Sequence, residues 1–190
     1  MTEKVRMAVF ASGSGSNFTA LEQACREGEL HAEIVHVITD KPEAYVIERA
    51  KQAKIPVTVL QPKAFVSKQA HEHAIIDTLR ASETEWIILA GYMRLIGHDL
   101  LSAYPSRIVN IHPSLLPSFP GKDAIGQAVD HGVKVTGVTV HLVDAGMDTG
   151  PILSQEAVRV VEGDAESTAE AIHAVEHVLY KETLKLLFEQ

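Results

Sequence analysis

The chain has 190 residues, enough for one domain to bury most of its apolar surface without covalent staples. Its 25 acidic and 17 basic side chains give a formal net charge of -8, which argues against a long nucleic-acid contact but leaves room for one small anion in a local cradle. The single cysteine, Cys25, excludes a disulfide framework, and no apolar run approaches the roughly 18 to 20 residues of a membrane span. With no charged-then-apolar leader at the start, the expectation is a cytoplasmic protein that contacts no membrane and forms one domain over residues 1–190.

In chain order, apolar bursts and helix-like spacing alternate. Residues 5–11 predict a buried strand, 18–27 a helix, 33–39 a strand, 45–52 a helix and 57–60 a third strand. A helix over 67–80, a strand over 86–90, a short helix over 98–103 and a strand over 107–111 follow. This alternation predicts an α/β fold with a parallel sheet and right-handed crossovers. Residues 136–143 and 152–160 read as strands joined by a loop too short for a crossover helix, so antiparallel strands extend the sheet. A long C-terminal helix over 166–188 closes the fold, with Ile172, Val175, Leu179 and Leu184 among its apolar positions. The sequence contains no repeat, low-complexity tract or linker.

The first loop with chemical content is Ser-Gly-Ser-Gly-Ser-Asn at 12–17. Glycines let the backbone approach an anion, hydroxyls add donors, and a helix starting near Asn17 would aim its free N–H groups at the same place. A Gly/Ser turn in which Ser16 or Asn17 only caps the helix has the same sequence. A dinucleotide site with Asp40 as the ribose ligand is a third reading, but that fingerprint fails at its third glycine, where Phe18 stands. The loop suits one phosphate better than a pyrophosphate.

A second constellation lies where the strand over 107–111 ends. Asn110 and His112 are two residues apart on extended chain and would project to the same side, beyond the carboxyl end of the strand, where open α/β sheets bind ligands. An amide can donate to a developing oxyanion, and an imidazole exchanges protons near neutral pH. Asp148, in a loop shaped by Gly146 and Gly150, would bring a carboxylate to that imidazole. This is the equipment for moving an acyl group to an amine. The alternatives are a turn histidine satisfied by backbone and an ordinary Asp/Gly turn.

These stretches resemble a known family. Ser-Gly-Ser-Gly-Ser-Asn at 12–17, Ala-Gly-Tyr-Met-Arg at 90–94, Asn-Ile-His-Pro-Ser-Leu-Leu-Pro at 110–117, Val-Thr-Val-His at 138–141 and Asp-Thr-Gly-Pro at 148–151 are similar, in order and over nearly the whole chain, to the phosphoribosylglycinamide formyltransferases. Asn-x-His with a distant Asp by itself points only to the wider folate-dependent formyltransferase superfamily. The resemblance implies an open, Rossmann-like, mostly parallel sheet and transfer of a formyl group from 10-formyltetrahydrofolate to the amine of glycinamide ribonucleotide, a step of purine synthesis. It implies catalytic Asn110, His112 and Asp148, with Asn110 on the formyl oxygen, His112 as proton donor, and Asp148 keeping His112 charged and ordering a relay water. Gly15, Ser16 and Asn17 would hold the substrate phosphate, and Glu176 would face the ribose. Met93, Arg94, Leu95 and Ile96 would line the folate pocket together with Asn110, and Lys68 would lie near the folate tail. No metal is implied, a homodimer is left open, and Lys122, Asp123 and Ala124 receive no role.

Rival readings remain beside this one. His173-Ala174-Val175-Glu176-His177 is formally the His-x-x-Glu-His pattern of certain zinc peptidases, but no further acidic helix supplies the remaining ligand. His71 and His73 are two apart on a predicted helix and read as a solvated surface. Formyltetrahydrofolate hydrolase and methionyl-tRNA formyltransferase resemble longer chains with an added domain, so length speaks against both. A non-catalytic nucleotide-binding module, with Asn110, His112 and Asp148 structural, is the last alternative.

Overall fold

A computed structural model describes residues 3–189; residues 1, 2 and 190, the outermost positions of the expected 1–190 domain, lie outside the described residues. The strands are β1 (Val5–Phe10), β2 (Ala32–Thr39), β3 (Val57–Val59), β4 (Trp86–Leu89), β5 (Ile108–His112), β6 (Val135–Leu142) and β7 (Ile152–Arg159). The helices are α1 (Ser16–Arg26), α2 (Val46–Gln52), α3 (Lys68–Ala81), α4 (His98–Ala103), α5 (Ala124–His131) and α6 (Ala165–Phe188).

Among the described residues, seven strands form one sheet in the order β3-β2-β1-β4-β5-β6-β7. The first five are parallel, whereas β6 and β7 run antiparallel to their neighbours. The period of two along each strand sends alternate residues to opposite faces, and both faces are covered. Met7 and Val9 pack with α1, α2 and α6 in a core that includes Phe18, Val46, Ile172 and Leu184. Ala8 and Phe10 belong to the second core, with Ile75 and Leu79 of α3 and Leu100 of α4. Tyr180 of α6 is fully buried, and its hydroxyl lies 2.7 Å from Leu89 O and 3.2 Å from Val109 O, tying the helix to β4 and β5.

The sheet changes winding direction between β1 and β4. Loops leaving the carboxyl ends of these two strands diverge there and open a crevice, the usual ligand position in open α/β sheets.

One element was missed and one sequence expectation needs correction. Residues 124–131 form α5, which periodicity did not reveal because the helix is short and contains Gly126. Its local signals are the Asp123 side chain accepting from Gly126 N at 3.2 Å and Gly132 in the left-handed region at the other end. His71, read as a solvated surface residue, is buried with Nε2 donating to Leu60 O at 2.8 Å, while His73 is exposed beside Asp99.

Candidate active site

A cleft of about 640 Å³ opens at the switch point. It is lined by the loop after β1 with Gly15, Ser16 and Asn17, the loop after β4 with Met93, Arg94, Leu95 and Ile96, the end of β5 with Asn110 and His112, the loop holding Asp148, and Glu176 of α6. Lys68 is not among them. It lines a neighbouring cavity of about 320 Å³, whose wall of Arg94, Leu95 and Ile96 is shared with the main cleft.

The phosphate-type loop is shaped by Gly15, the N-cap of α1, which has φ of +76°. A Cβ there would lie 2.7 Å from Val46 Cγ2, so the position requires glycine for both conformation and space. No side chain caps α1, and its first N–H groups stay available to an anion. Ser12 is buried and turned inward to Asp40, so it does not extend the cradle. Asn17 reaches across to α6, donating from Nδ2 to Glu176 Oε2 at 3.2 Å. The same carboxylate oxygen meets His173 Nδ1 at 3.1 Å, and this bond lifts the His173 imidazole above its ordinary value against the effect of burial. His173 and Glu176 of the peptidase-like pattern are thus hydrogen-bonded to each other.

On the floor of the cleft, hydrogen bonds define what each group can do. His112 is buried, and its Nε2 lies 2.8 Å from Phe119 O. A carbonyl only accepts, so Nε2 carries a proton and Nδ1 is the nitrogen free to exchange one. Nδ1 is 3.5 Å from Asp148 Oδ2, so a ring protonated at both nitrogens has an acceptor for each N–H. The Phe119 carbonyl is itself held in place, since the buried Ser114 hydroxyl lies 3.3 Å from Phe119 O as well as 2.6 Å from Ser118 O. Asp148 Oδ2 also accepts from Gly121 N at 2.8 Å, which fixes the carboxylate's orientation.

Asn110 is paired across the sheet with His141 of β6. His141 Nδ1 donates to Leu142 O at 2.9 Å, so Nε2 accepts from Asn110 Nδ2 at 3.3 Å. One amide hydrogen of Asn110 is thereby engaged and the other is left for a ligand. His141 Nε2 lies 3.8 Å from Asp148 Oδ1 but has no proton to give it, so the carboxylate is committed to His112. Sequence reasoning missed His141, Ser114 and the Phe119 carbonyl as supports. His141 lay inside a quoted motif, whereas the role of a carbonyl leaves no mark on residue type.

The apolar walls are contributed by Leu89, Ile96, Ile125 and Val143, and the exposed Met93 and Leu95 stand at the rim. This combination of volume, apolar lining and a few convergent polar groups suits a small organic ligand. Asp40, offered as a ribose ligand under the dinucleotide reading, is 4% exposed, bonded to Ser12 and Arg94, and not among the residues that line the cleft.

An α/β sheet with an amide, an imidazole and a carboxylate gathered at its switch point has the architecture of a group-transfer enzyme. The chain belongs to the formyl transferase family, whose profile matches residues 5–184. It is 53% identical over 183 residues to the phosphoribosylglycinamide formyltransferase of Bacillus subtilis (strain 168), covering 96% of this chain and 94% of that one. Among solved structures, the glycinamide ribonucleotide transformylase 1 of Geobacillus kaustophilus superposes with a TM-score of 0.94 at 55% identity, covering 97% of this chain and 98% of the other. The phosphoribosylglycinamide formyltransferase of Bacillus halodurans superposes with a TM-score of 0.95 at 53% identity, covering 97% and 96%. No helix among the described residues is long and apolar enough to cross a membrane.

Proposed function

We infer that this chain transfers the formyl group of 10-formyltetrahydrofolate to the amine of glycinamide ribonucleotide, giving formylglycinamide ribonucleotide and tetrahydrofolate. The observation that carries the reading is the meeting of Asn110, His112 and Asp148 on the floor of one cleft, between a phosphate-type loop and an apolar loop. Full-length similarity to the named formyltransferases supports it.

The amine attacks the formyl carbon, a C–N bond forms, and the carbonyl electrons move onto oxygen. The free amide hydrogen of Asn110 stabilises that oxyanion, a contribution of roughly 2.7 to 4 kcal/mol for a donor of this kind. The tetrahedral adduct collapses when the bond to folate N10 breaks; the amine loses one proton and N10 gains one. His112 handles this proton through Nδ1, because Nε2 is committed to Phe119 O. Asp148 stabilises the charged imidazole at each stage. Gly15, Ser16 and Asn17 hold the phosphate at the start of α1, Glu176 takes the ribose hydroxyls, and Met93 to Ile96 with Lys68 bind the folate and its acidic tail. The reading needs no metal.

Incubating the purified protein with both substrates tests the activity. Formylglycinamide ribonucleotide and tetrahydrofolate in equal amounts are expected. Formate release without the amine would instead indicate a hydrolase, and binding without turnover a nucleotide-binding module.

A further inference from the structure

The loops after β1 and β4, which both line the cleft, are joined by a buried polar link. Asp40, directly after β2, is 4% exposed and serves both loops with one carboxylate. Oδ1 accepts from Ser12 Oγ at 2.6 Å and Oδ2 from Arg94 Nε at 2.9 Å. The Ser12 hydroxyl oxygen in turn accepts from Met93 N at 2.9 Å, and Ser12 N donates to Gly91 O at 3.0 Å. The segment that follows Asp40 touches the first loop again, with Val46 N donating to Gly13 O at 3.1 Å and the Val46 side chain lying against Gly15. Ser12 thus bonds the loop after β4 directly, and Asp40 joins Ser12 to the Arg94 side chain.

The energetics make this link sensitive to loop position. Burial opposes the charge on Asp40, but the hydrogen bonds from Ser12 and Arg94 outweigh it and hold the carboxyl below its ordinary value. A buried carboxylate that loses a donor is strongly penalised, so displacement of either loop is resisted by the other. The Arg94 side chain is half exposed and lines both cavities, so a ligand can reach it directly.

We propose that Asp40 is a positioning residue that couples the two substrate subsites, so that a ligand on Gly15–Asn17 tightens binding at Met93–Ile96 and the reverse. The proposal rests on the assignment of these loops to ribonucleotide and folate. By linkage, the two tightening factors are equal.

Calorimetry with glycinamide ribonucleotide and tetrahydrofolate, a pair that cannot react, measures the coupling. In the wild-type protein, saturating tetrahydrofolate should tighten the ribonucleotide about fivefold or more. Asp40→Asn still accepts from Ser12 but turns an amide toward Arg94, so the factor should fall toward one and folate alone should bind more weakly. Ribonucleotide alone should stay within about threefold of wild type, within the tolerance of an undisturbed site. Ser12→Ala should also uncouple the sites by freeing Met93 N, while Ser12→Thr, which keeps the hydroxyl, should restore coupling. Melting curves of all variants establish that each is folded. An unchanged factor in folded Asp40→Asn and Ser12→Ala would overturn the proposal, as would no coupling in wild type. Failure of formyl transfer with coupling intact would instead overturn the assigned activity alone.

Discussion

Replacing Asp148 by Asn isolates the charge of the carboxylate from its packing. Asp148 sits at φ of +55°, a conformation that Asn adopts readily. With its amide oxygen in the place of Oδ2, Asn keeps the acceptor for Gly121 N. Only the charge facing His112 Nδ1 at 3.5 Å is lost. At that distance and an effective dielectric of about 20, a unit charge pair is worth roughly 5 kcal/mol before desolvation. If desolvation removes half or slightly more, about 2 kcal/mol remains to stabilise the charged imidazole during proton transfer. The corresponding loss in kcat is about 30-fold. Initial rates at saturating concentrations of both substrates give kcat, and a melting curve reports whether the loop has held. The melting temperature should change by less than about 3 °C, since no hydrogen bond is orphaned. Asp148→Ala should be less stable by about 1 to 3 kcal/mol because Gly121 N loses its acceptor. Turnover of Asp148→Asn within threefold of wild type at pH 7 would refute the electrostatic role.

Three further outcomes are expected. His112→Ala should lower turnover by about 100-fold to 10,000-fold with little change in substrate binding, measured by kcat against the dissociation constants; retention of turnover would remove the proton-transfer role. Tyr180→Phe breaks the clamp on Leu89 O and Val109 O and should cost about 1 to 3 kcal/mol in chemical denaturation, with a lower melting temperature; an unchanged midpoint would show that the clamp contributes nothing. His173 should titrate above its ordinary 6.5 through its hydrogen bond to Glu176, so its contribution to stability is present below about pH 6.5 and is lost as pH rises through the folded value. The imidazole resonance should move to a lower pKa in Glu176→Gln, and an equal or higher value there would contradict the pairing.

Much of the fold is legible locally. Apolar bursts located all seven strands to within one or two residues of their ends, and the short connection between 143 and 152 implied the antiparallel turn at β6 and β7. Asn110 and His112 could be placed because strand alternation and the ligand position of α/β sheets follow from short-range geometry. The same reasoning failed for α5, where Gly126 weakened the period, and for His71, whose partner Leu60 O comes from the connection after β3.

The sequence by itself determined the alternation of elements, the glycine-shaped loop at 12–17 and the residue types available at the end of β5. Tertiary structure decided which atoms meet. Antiparallel register sets His141 beside Asn110, and the Phe119 carbonyl selects the exchanging nitrogen of His112. Lys68 lies in the adjacent cavity, not in the main cleft, and Asp40 joins two loops instead of lining the cleft. The physical reason is that propensity and periodicity act between near neighbours and depend on side-chain type. Register and backbone carbonyls join distant segments through groups that every residue carries, so their consequences become visible only when the sheet is assembled.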